Sequence, residues 1–223
     1  MYHFKPNEEM PLKLQGFQVN MFAEITYIVW DPESREAAIV DAGMSEDDEV
    51  RAIDNYLSDN NLTLKYLINT HLHIDHCFGV EHIKSKYGLG LMASKADEIL
   101  SSRLKEQAQM FRLPIDVENI SIEHDLKDGD VLHLGKEELK VISVPGHSPG
   151  GIALYAPDSK FVITGDSLFH RSIGRTDLPG GDHATLIRAV TDKLLSLPGD
   201  TKVFPGHGPS TTIAEEHRFN PYL

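Results

Sequence analysis

The chain of 223 residues contains a single cysteine, Cys77, so an intrachain disulfide framework is excluded. Basic residues are scarce, because 21 lysines and arginines stand against 34 acidic residues and give a formal net charge of −13. A field of that sign repels phosphate backbones, so general nucleic-acid binding is not expected. The sequence lacks both a run of about 18 apolar residues and an N-terminal apolar core of signal-peptide length. We therefore expect a cytoplasmic protein that does not interact with a membrane.

The composition is otherwise that of an ordinary globular domain, with 40% hydrophobic and 25% charged residues. At this length, folding removes roughly 70–75% of the unfolded chain's surface from water, so a stable core needs no covalent cross-links. No repeat or linker divides the sequence. We expect a single domain that spans residues 1–223.

Hydrophobic periodicity predicts alternating strands and helices in the first half. Runs of β-branched and aromatic residues between turn signals predict strands at 17–23, 25–31, 36–43 and 64–70. Apolar residues at helical spacing predict helices at 45–61, 78–88 and 96–111. Ser45 is the expected N-cap of the first helix, and Gly88 is expected to close the second.

The second half repeats this style without repeating the sequence. It predicts a hairpin-like turn at 127–135, a strand at 137–147, two strands within 150–166, a helix at 183–198 and a last strand at 201–208. The helix would turn five apolar residues inward: Leu186, Ile187, Val190, Leu194 and Leu197. Strands in both halves, with helices between and after them, favour two packed sheets flanked by helices.

Seven histidines and aspartates stand at the ends of four predicted strands, beside glycines and other turn residues. They are His71, His73, Asp75 and His76 in THLHIDHC, His147 in VPGHSPGG, Asp166 in ITGDSLF and His207 in FPGHGP. Glycine at such a position lets the backbone bend and approach a ligand closely. Loops carried on a rigid sheet are also where binding and catalytic residues concentrate.

Five imidazoles and two carboxylates exceed the four ligands of one tetrahedral zinc ion. They suit two divalent ions about 3.5–4 Å apart. Nitrogen and oxygen donors without thiolate favour zinc, with iron or manganese as alternatives. The remaining histidines considered are expected to be bystanders on the surface or in the core: His3, His82, His124, His133, His170 and His217.

At these residues the sequence resembles the metallo-β-lactamase fold superfamily. THLHIDH resembles the HxHxDH signature of that family, PGHSPG, TGDSLF and PGHG resemble its later ligand loops, and the likeness extends from about Phe17 to about Pro209. The resemblance implies an α+β fold, a four-layer αββα sandwich with the metal site at one edge of the sheets. It further implies that His71, His73 and His147 bind the first metal ion, that Asp75, His76 and His207 bind the second, and that Asp166 bridges them.

Within this superfamily, the segments GDSLFHRSIGRTDLPGGD and EEHRFNPYL resemble glyoxalase II (hydroxyacylglutathione hydrolase), in particular its short bacterial relatives. The implied activity is thioester hydrolysis by a metal-bridging hydroxide, on S-D-lactoylglutathione or a similar small hydroxyacyl thioester. Asp75 would orient the nucleophile as well as bind metal. Only 16 residues follow His207, however, and SIGRTD replaces the Lys and Tyr of the family's glutathione-binding segment. The thiol carrier is therefore left open, and antibiotic-hydrolysing branches of the family resemble the sequence less.

Three alternatives stay open at this point. A persulfide dioxygenase-like enzyme would hold one iron with His71, His147 and Asp166. A diiron redox module of the flavodiiron type would need a flavin domain, which the sequence lacks, and a third alternative is a metal-binding module without turnover. The oligomeric state is not predicted.

Residues beside the seven candidates also invite interpretation. Asp41 and Thr70 are candidates for fixing imidazole tautomers, although Asp41 could instead be a turn residue. Arg175 could contact a substrate carboxylate or form an ion pair with Asp177. Cys77 is expected to be a buried, inert thiol rather than an oxidation-sensitive one.

Overall fold

Two six-stranded β-sheets form the centre of the protein. The computed structural model describes residues 11–115 and 117–223, so His3 lies outside the described residues. The strands of the first sheet neighbour one another in chain order: β1 (Lys13–Val19), β2 (Glu24–Trp30), β3 (Glu36–Val40), β4 (Thr63–Ile68), β5 (Leu91–Ala93) and β6 (His124–Asp125). The first three strands pair antiparallel, whereas β3 to β6 pair in parallel.

The second half of the chain builds the second sheet. Its six strands are β7 (Val131–Leu134), β8 (Glu137–Ser143), β9 (Ile152–Ala156), β10 (Phe161–Gly165), β13 (Lys202–Pro205) and β14 (Thr211–Thr212). Between β10 and β13 the chain forms a separate two-stranded ribbon, β11 (Leu168–Phe169) and β12 (Ser172–Ile173). The sheet order is β14-β13-β10-β9-β8-β7, and β11 pairs with β12 apart from it. The strand expected to be the last, at 201–208, is therefore followed by one more short strand.

Helices cover the outer face of each sheet. They are α1 (Asp47–Asp59), α2 (Val80–Tyr87), α3 (Glu98–Ser101), α4 (Leu104–Met110), α5 (His183–Ala189) and α6 (Ile213–Phe219). The first four pack on the first sheet, and the last two pack on the second. The predicted αββα sandwich is thereby confirmed. None of the described helices combines the length and apolar character needed to cross a bilayer.

The central strands contain continuous apolar runs because both of their faces are covered. Ala37 and Ile39 of β3 face the helices, whereas Ala38 and Val40 face the other sheet. This alternation follows from the two-residue period of a strand. It explains why the sequence shows continuous apolar runs here rather than an alternation of apolar and polar residues.

The strand predicted at 17–23 is wrong beyond Val19. The chain leaves the extended conformation at Asn20 (φ 51°) and returns from a tight turn at Ala23 (φ 57°). The Ala23 amide donates to the Asn20 carbonyl oxygen at 3.2 Å. Asparagine tolerates the left-handed region better than most residues, so this turn has a local cause.

The predicted N-cap at Ser45 is also wrong, because the first helix begins one residue later with Glu46 as its N-cap. The Glu49 carboxylate accepts hydrogen bonds from the backbone amides of Ser45 (2.8 Å) and Glu46 (3.1 Å). The end of α2 matches the prediction, since Gly88 has φ 68° and closes that helix in the left-handed conformation.

The helix predicted at 96–111 is broken between Ser101 and Leu104 into α3 and α4. Side-chain and loop donors take carbonyl groups that a continuous helix would use. The Gln107 side-chain amide donates to the Leu100 oxygen at 3.0 Å, and the Ile120 amide donates to the Ser101 oxygen at 3.2 Å. Tertiary contacts therefore override local helical propensity here.

The helix predicted at 183–198 is α-helical only in α5, and it continues as a π-helical segment over Val190–Leu194. Asp182 caps its start by accepting a hydrogen bond from the Thr185 amide at 2.7 Å. The inward face is as expected for Leu186, Val190 and Leu194, which are buried. Ile187 and Leu197 are half-buried and pack at the margin of the same core.

Hydrogen bonds join the two sheets at the edge where the ligand candidates lie. The Ile25 amide of β2 donates to the Gly206 oxygen at 2.8 Å, and the Ile152 amide of β9 donates to the Thr70 oxygen at 2.8 Å. The buried Tyr27 hydroxyl adds a third link, because it donates to the Pro205 oxygen at 2.7 Å. These bonds fix the ends of strands from different sheets relative to one another.

We expect Tyr27→Phe to lower the free energy of unfolding by about 1–3 kcal/mol, because the buried Pro205 carbonyl loses its donor. Urea-induced unfolding of the two proteins measures the difference. Tyr155→Phe is the matched control. The Tyr155 ring is half-buried against the core between the second sheet and its helices, and its hydroxyl has no hydrogen-bond partner among the described residues. Equal losses in the two variants would contradict a specific role for the Tyr27 link.

Candidate metal centre

All seven candidate ligands lie at one edge of the sandwich, in loops that follow strands. His71 and His73 come after β4, and a 3₁₀ turn at Ile74–His76 then directs Asp75 and His76 into the same region. The other three follow three strands of the second sheet, in the order His147 after β8, Asp166 after β10 and His207 after β13. Residues separated by up to 136 positions therefore meet because their strands end at a common edge.

Three buried imidazoles form a first cluster, His71, His73 and His147. His73 Nδ1 lies 2.9 Å from His147 Nε2, which lies 3.3 Å from His71 Nε2. Burial lowers the pKa of all three rings, and it lowers that of His73 to about 3. Neutral imidazoles each carry one nitrogen lone pair, so the cluster is well suited to hold a cation.

A second cluster consists of Asp75, His76 and His207. Asp75 Oδ2 is 3.2 Å from His207 Nε2 and 3.8 Å from His76 Nε2. Asp166 lies between the two clusters. Its Oδ1 is 3.5 Å from His76 Nε2, whereas its Oδ2 is 3.6 Å from His207 Nε2 and 3.7 Å from His147 Nε2.

The two clusters differ in their electrostatic environment. Burial opposes protonation of His76, but Asp166 and Asp75 outweigh it and raise the pKa of His76 well above its usual value. The pKa of His207 is likewise raised against burial, mainly by its hydrogen bond to Asp75. Burial alone would raise the pKa values of the Asp75 and Asp166 carboxyls, yet the neighbouring His76 holds both below their usual value. The second cluster therefore attracts positive charge more strongly than the first.

The donor set fits a pair of divalent cations. His76 Nε2 and Asp166 Oδ1 are buried and have no hydrogen-bond partner among the described residues, an arrangement that is costly unless another group binds there. Gly206 keeps the space beside them clear, because a side chain at that position would collide with Asp166 and His76. Imidazole and carboxylate donors suit zinc, iron or manganese.

Asp41 and Thr70 contact the outer sides of two candidate ligand rings, His76 and His71, as the sequence suggested. Asp41 accepts hydrogen bonds from the Thr70 amide (2.6 Å) and hydroxyl (2.7 Å), and its Oδ2 lies 3.2 Å from His76 Nδ1. The Thr70 hydroxyl lies 3.2 Å from His71 Nδ1. Both rings are thus held with Nε2 directed inward. Asp41 is also a turn residue, with φ 54°, so both interpretations of it apply.

Backbone carbonyls orient two further rings. His147 Nδ1 donates to the Arg175 oxygen at 2.8 Å, and His207 Nδ1 donates to the Phe22 oxygen at 3.1 Å. Each bond leaves Nε2 as the free inward-facing atom. The Arg175 side chain forms a bidentate ion pair with Asp177, with both nitrogen–oxygen distances at 2.7 Å. The ion-pair interpretation of Arg175 is therefore confirmed.

A cleft of about 210 Å³ opens over the two clusters. Phe22, Phe111 and Leu178 form its apolar walls, and Arg175 lies at its rim. The rings of Phe22 and Phe111 pack edge to face, with their centroids 6.2 Å apart. The cleft can thus place a small, partly apolar molecule directly against His73 and His207.

Sequence reasoning missed two buried carboxyl groups that contact the site. Asp97 accepts hydrogen bonds from the Leu72 amide (3.0 Å) and the Ser148 hydroxyl (2.8 Å), so it ties together the loops that carry the first cluster. Glu24 lies 3.8 Å from His76 Nδ1, and burial raises its pKa well above the usual value. Asp97 stood in a predicted helix and Glu24 between two predicted strands, and no local pattern marked either residue.

The expected bystanders that the structure describes contribute nothing to either cluster. His124, His133, His170 and His217 are exposed, and His82 pairs with Asp54 at 3.1 Å. Cys77 is buried, and burial raises the pKa of its thiol well above the usual value. A neutral, enclosed thiol is poorly reactive, as predicted.

Comparison with known proteins identifies the family. Residues 24–207 match the metallo-beta-lactamase superfamily. The chain is 35% identical over 213 residues to hydroxyacylglutathione hydrolase GloC of Haemophilus influenzae. The aligned region covers 95% of this chain and 98% of that protein.

Two solved structures show the same fold. The BLEG-1 B3 metallo-beta-lactamase has a TM-score of 0.84 and 30% identity, covering 94% of this chain and 99% of its own. TTHA1623, solved in a di-iron-bound form, has a TM-score of 0.82 and 32% identity, covering 93% of this chain and 99% of its own. The ligand-bearing edge, the αββα layers and these likenesses agree, and the chain belongs to the metallo-β-lactamase superfamily.

Proposed function

We propose that the protein is a metal-dependent thioester hydrolase that acts on small hydroxyacyl thioesters, S-D-lactoylglutathione being the first substrate to test. The observation that carries the proposal is the position of Asp166 within 3.7 Å of imidazole nitrogens from both clusters. That position suits a carboxylate shared by two cations. The proposed ligands are His71, His73 and His147 for the first cation, Asp75, His76 and His207 for the second, and Asp166 for both.

Bound cations would supply a water molecule of lowered pKa and would polarise the substrate carbonyl oxygen. Asp75 is the proposed catalytic residue. Its carboxylate lies on the open side of the second cluster and lines the cleft, so it can orient the attacking water and accept its proton. Its lowered pKa keeps it ionised at neutral pH. The leaving thiolate needs no strong acid, because a free thiol has a pKa of about 8.5.

The cleft supports a small substrate. Its apolar walls, Phe22, Phe111 and Leu178, suit the carbon skeleton of an acyl or thiol group, and Arg175 is already paired with Asp177. The similarity to a named hydroxyacylglutathione hydrolase over 98% of its length supports thioester chemistry. The strongly negative net charge supports a small-molecule substrate rather than nucleic acid. Zinc is the proposed metal, and the di-iron form of TTHA1623 supports iron as the alternative.

β-Lactam hydrolysis is the second candidate function. The observation in its favour is the fold similarity at 30% identity to a protein named as a B3 metallo-beta-lactamase. Attack of an oriented water on a strained amide carbonyl would use the same groups, but the departing nitrogen is a poorer leaving group than a thiolate. A mononuclear iron persulfide dioxygenase is the further alternative, and the complete second cluster speaks against it.

Purified, metal-replete protein is expected to hydrolyse S-D-lactoylglutathione, with release of the thiol measured by a chromogenic thiol reagent. His73→Ala should lower the rate by about 100-fold or more, because removing even an outer partner of a ligand costs about 10–100-fold. His133→Ala, an exposed position, is the matched control and should retain full activity. Hydrolysis of a penicillin or cephalosporin, or oxygen uptake on a persulfide, without thioester turnover would overturn the hydrolase proposal.

Asp75→Asn is expected to lower kcat by about 10²–10⁴-fold at saturating metal, the range for losing a positioned general base. Asp54→Asn provides the comparison, since it breaks a similar aspartate–histidine contact, to His82, outside the site. Steady-state kinetics with the metal content of each protein measured in parallel tests the role. An Asp75→Asn enzyme with unchanged kcat would remove Asp75 from the catalytic machinery.

Binding of the second cation is expected to release protons, whereas binding of the first is not. The raised pKa of His76 favours the protonated ring in the metal-free protein, and the ring must lose that proton to act as a ligand. His73, with a pKa of about 3, is already neutral. Titration calorimetry in buffers of different ionisation enthalpy should give close to zero protons for the first cation and about one or two for the second, because the pKa of His207 is raised as well as that of His76.

The same asymmetry sets the order of metal loss in acid. Protons compete for His76 and His207 at a higher pH than for His71, His73 and His147, so the second position should empty first as pH falls. Metal content after dialysis at a series of pH values provides the measurement. Simultaneous loss of both ions would contradict the assignment of the two clusters.

A further inference from the structure

The turn between β1 and β2 contacts two proposed ligands of the second cluster, Asp75 and His207, although it contributes no ligand itself. Asn20 begins this turn in the left-handed conformation, with φ 51°. Its side chain is half-buried and directs all of its polar atoms to neighbouring backbone groups. Such a residue can position others without touching a substrate.

The Asn20 side chain holds the backbone of Asp75. Its Nδ2 donates to the Asp75 carbonyl oxygen at 2.8 Å and to the Gly43 carbonyl oxygen at 2.9 Å. Asp75 lies in the short 3₁₀ turn Ile74–His76, so fixing its carbonyl restricts the direction of its carboxylate.

The same side chain reaches His207 through one intermediate residue. Asn20 Oδ1 accepts a hydrogen bond from the Phe22 amide at 2.9 Å, and the Phe22 carbonyl accepts one from His207 Nδ1 at 3.1 Å. The turn is fixed from outside as well, because the Asn20 amide donates to Glu49 Oε1 of α1 at 2.7 Å. A continuous chain of hydrogen bonds thus runs from Asp75 through Asn20 and Phe22 to His207.

The first cluster has a separate support. Asp97 accepts from the Leu72 amide, which lies between His71 and His73, and from the Ser148 hydroxyl, which follows His147. Asn20 and Asp97 are 77 positions apart in sequence, and no hydrogen bond among the described residues joins their two networks directly. Each network therefore serves one cluster.

We infer that Asn20 is a positioning residue that sets the affinity of the second metal position, independently of the first. The inference rests on the two-cation site of the proposed function. Phe22 is part of the same chain and also forms a wall of the cleft, so the turn couples that wall to the second position. Loosening the turn would leave a protein that binds one ion tightly and the other poorly.

Asn20→Gly is the direct test, because glycine accepts the left-handed conformation and only the side-chain hydrogen bonds are lost. Zinc binding is measured by competition with a chromophoric chelator, which resolves two dissociation constants. The second affinity should fall about 10–100-fold, the usual effect of removing an outer partner of a ligand, while the first stays at the wild-type value. A general loss of stability would weaken both.

Asn20→Asp is the second variant, since it keeps the shape and the acceptor for Phe22 but removes the donor to Asp75. An added negative charge alone would strengthen cation binding, so a weakened second affinity would report the lost positioning. Asn60→Gly is the matched control. Its half-buried amide donates to the Tyr56 oxygen at 2.8 Å at the far end of α1, and both affinities should remain unchanged.

Asp97→Asn supplies the reciprocal comparison and should weaken the first position more than the second. If the wild-type protein binds two ions and the Asn20→Gly variant keeps both affinities, the inference is overturned and the proposed function stands. Equal weakening of both positions in that variant would also overturn it. Wild-type protein that binds a single ion under all conditions would instead refute the two-cation function, and the inference with it.

Discussion

The structure depends on holding seven ligand-type side chains against one another at a buried edge. Within that edge, carboxylates and imidazole nitrogens approach to 2.9–3.8 Å, and some polar atoms have no hydrogen-bond partner among the described residues. Such crowding costs free energy unless positive charge enters, from protons or from bound cations. The raised pKa of His76 corresponds to positive charge supplied by protons. The fit of the donor set to divalent ions corresponds to positive charge supplied by bound cations.

The sandwich makes this arrangement possible because its rigid, hydrogen-bonded strand ends lie next to the crowded side chains. Backbone hydrogen bonds join the sheets at Ile25–Gly206 and at Ile152–Thr70, within a few residues of the ligands. The cores on either side are apolar and fully covered, so they resist the relaxation that electrostatic repulsion would otherwise cause. Stability built into the layers thereby keeps a destabilising cluster in place, as is common at functional sites.

The convergence of the seven candidate ligands could be predicted from the sequence because each stands in a short local pattern at the end of an apolar strand. The supporting residues could not, since their roles depend on partners distant in sequence. Asp97 meets Leu72 and Ser148 only in the folded chain, and the helix expected at 96–111 is likewise broken by long-range bonds, those from Gln107 to Leu100 and from Ile120 to Ser101. Asn20 looked like the middle of a strand, yet its left-handed backbone and its bonds to Asp75 make it part of the site's framework.

The charges at this edge support the proposed acyl-transfer chemistry. With neutral imidazoles, Asp75 and Asp166 carry the only two formal negative charges among the seven candidates, and two divalent cations would bring four positive ones. The seven side chains with two cations would therefore carry a net charge of plus two, which the neighbouring Asp41 carboxylate offsets in part. The remaining positive charge favours an anionic nucleophile and the oxyanion that develops on a carbonyl. The protein as a whole is acidic, so this positive charge would be confined to the cleft, where the apolar rings of Phe22 and Phe111 limit its screening by water.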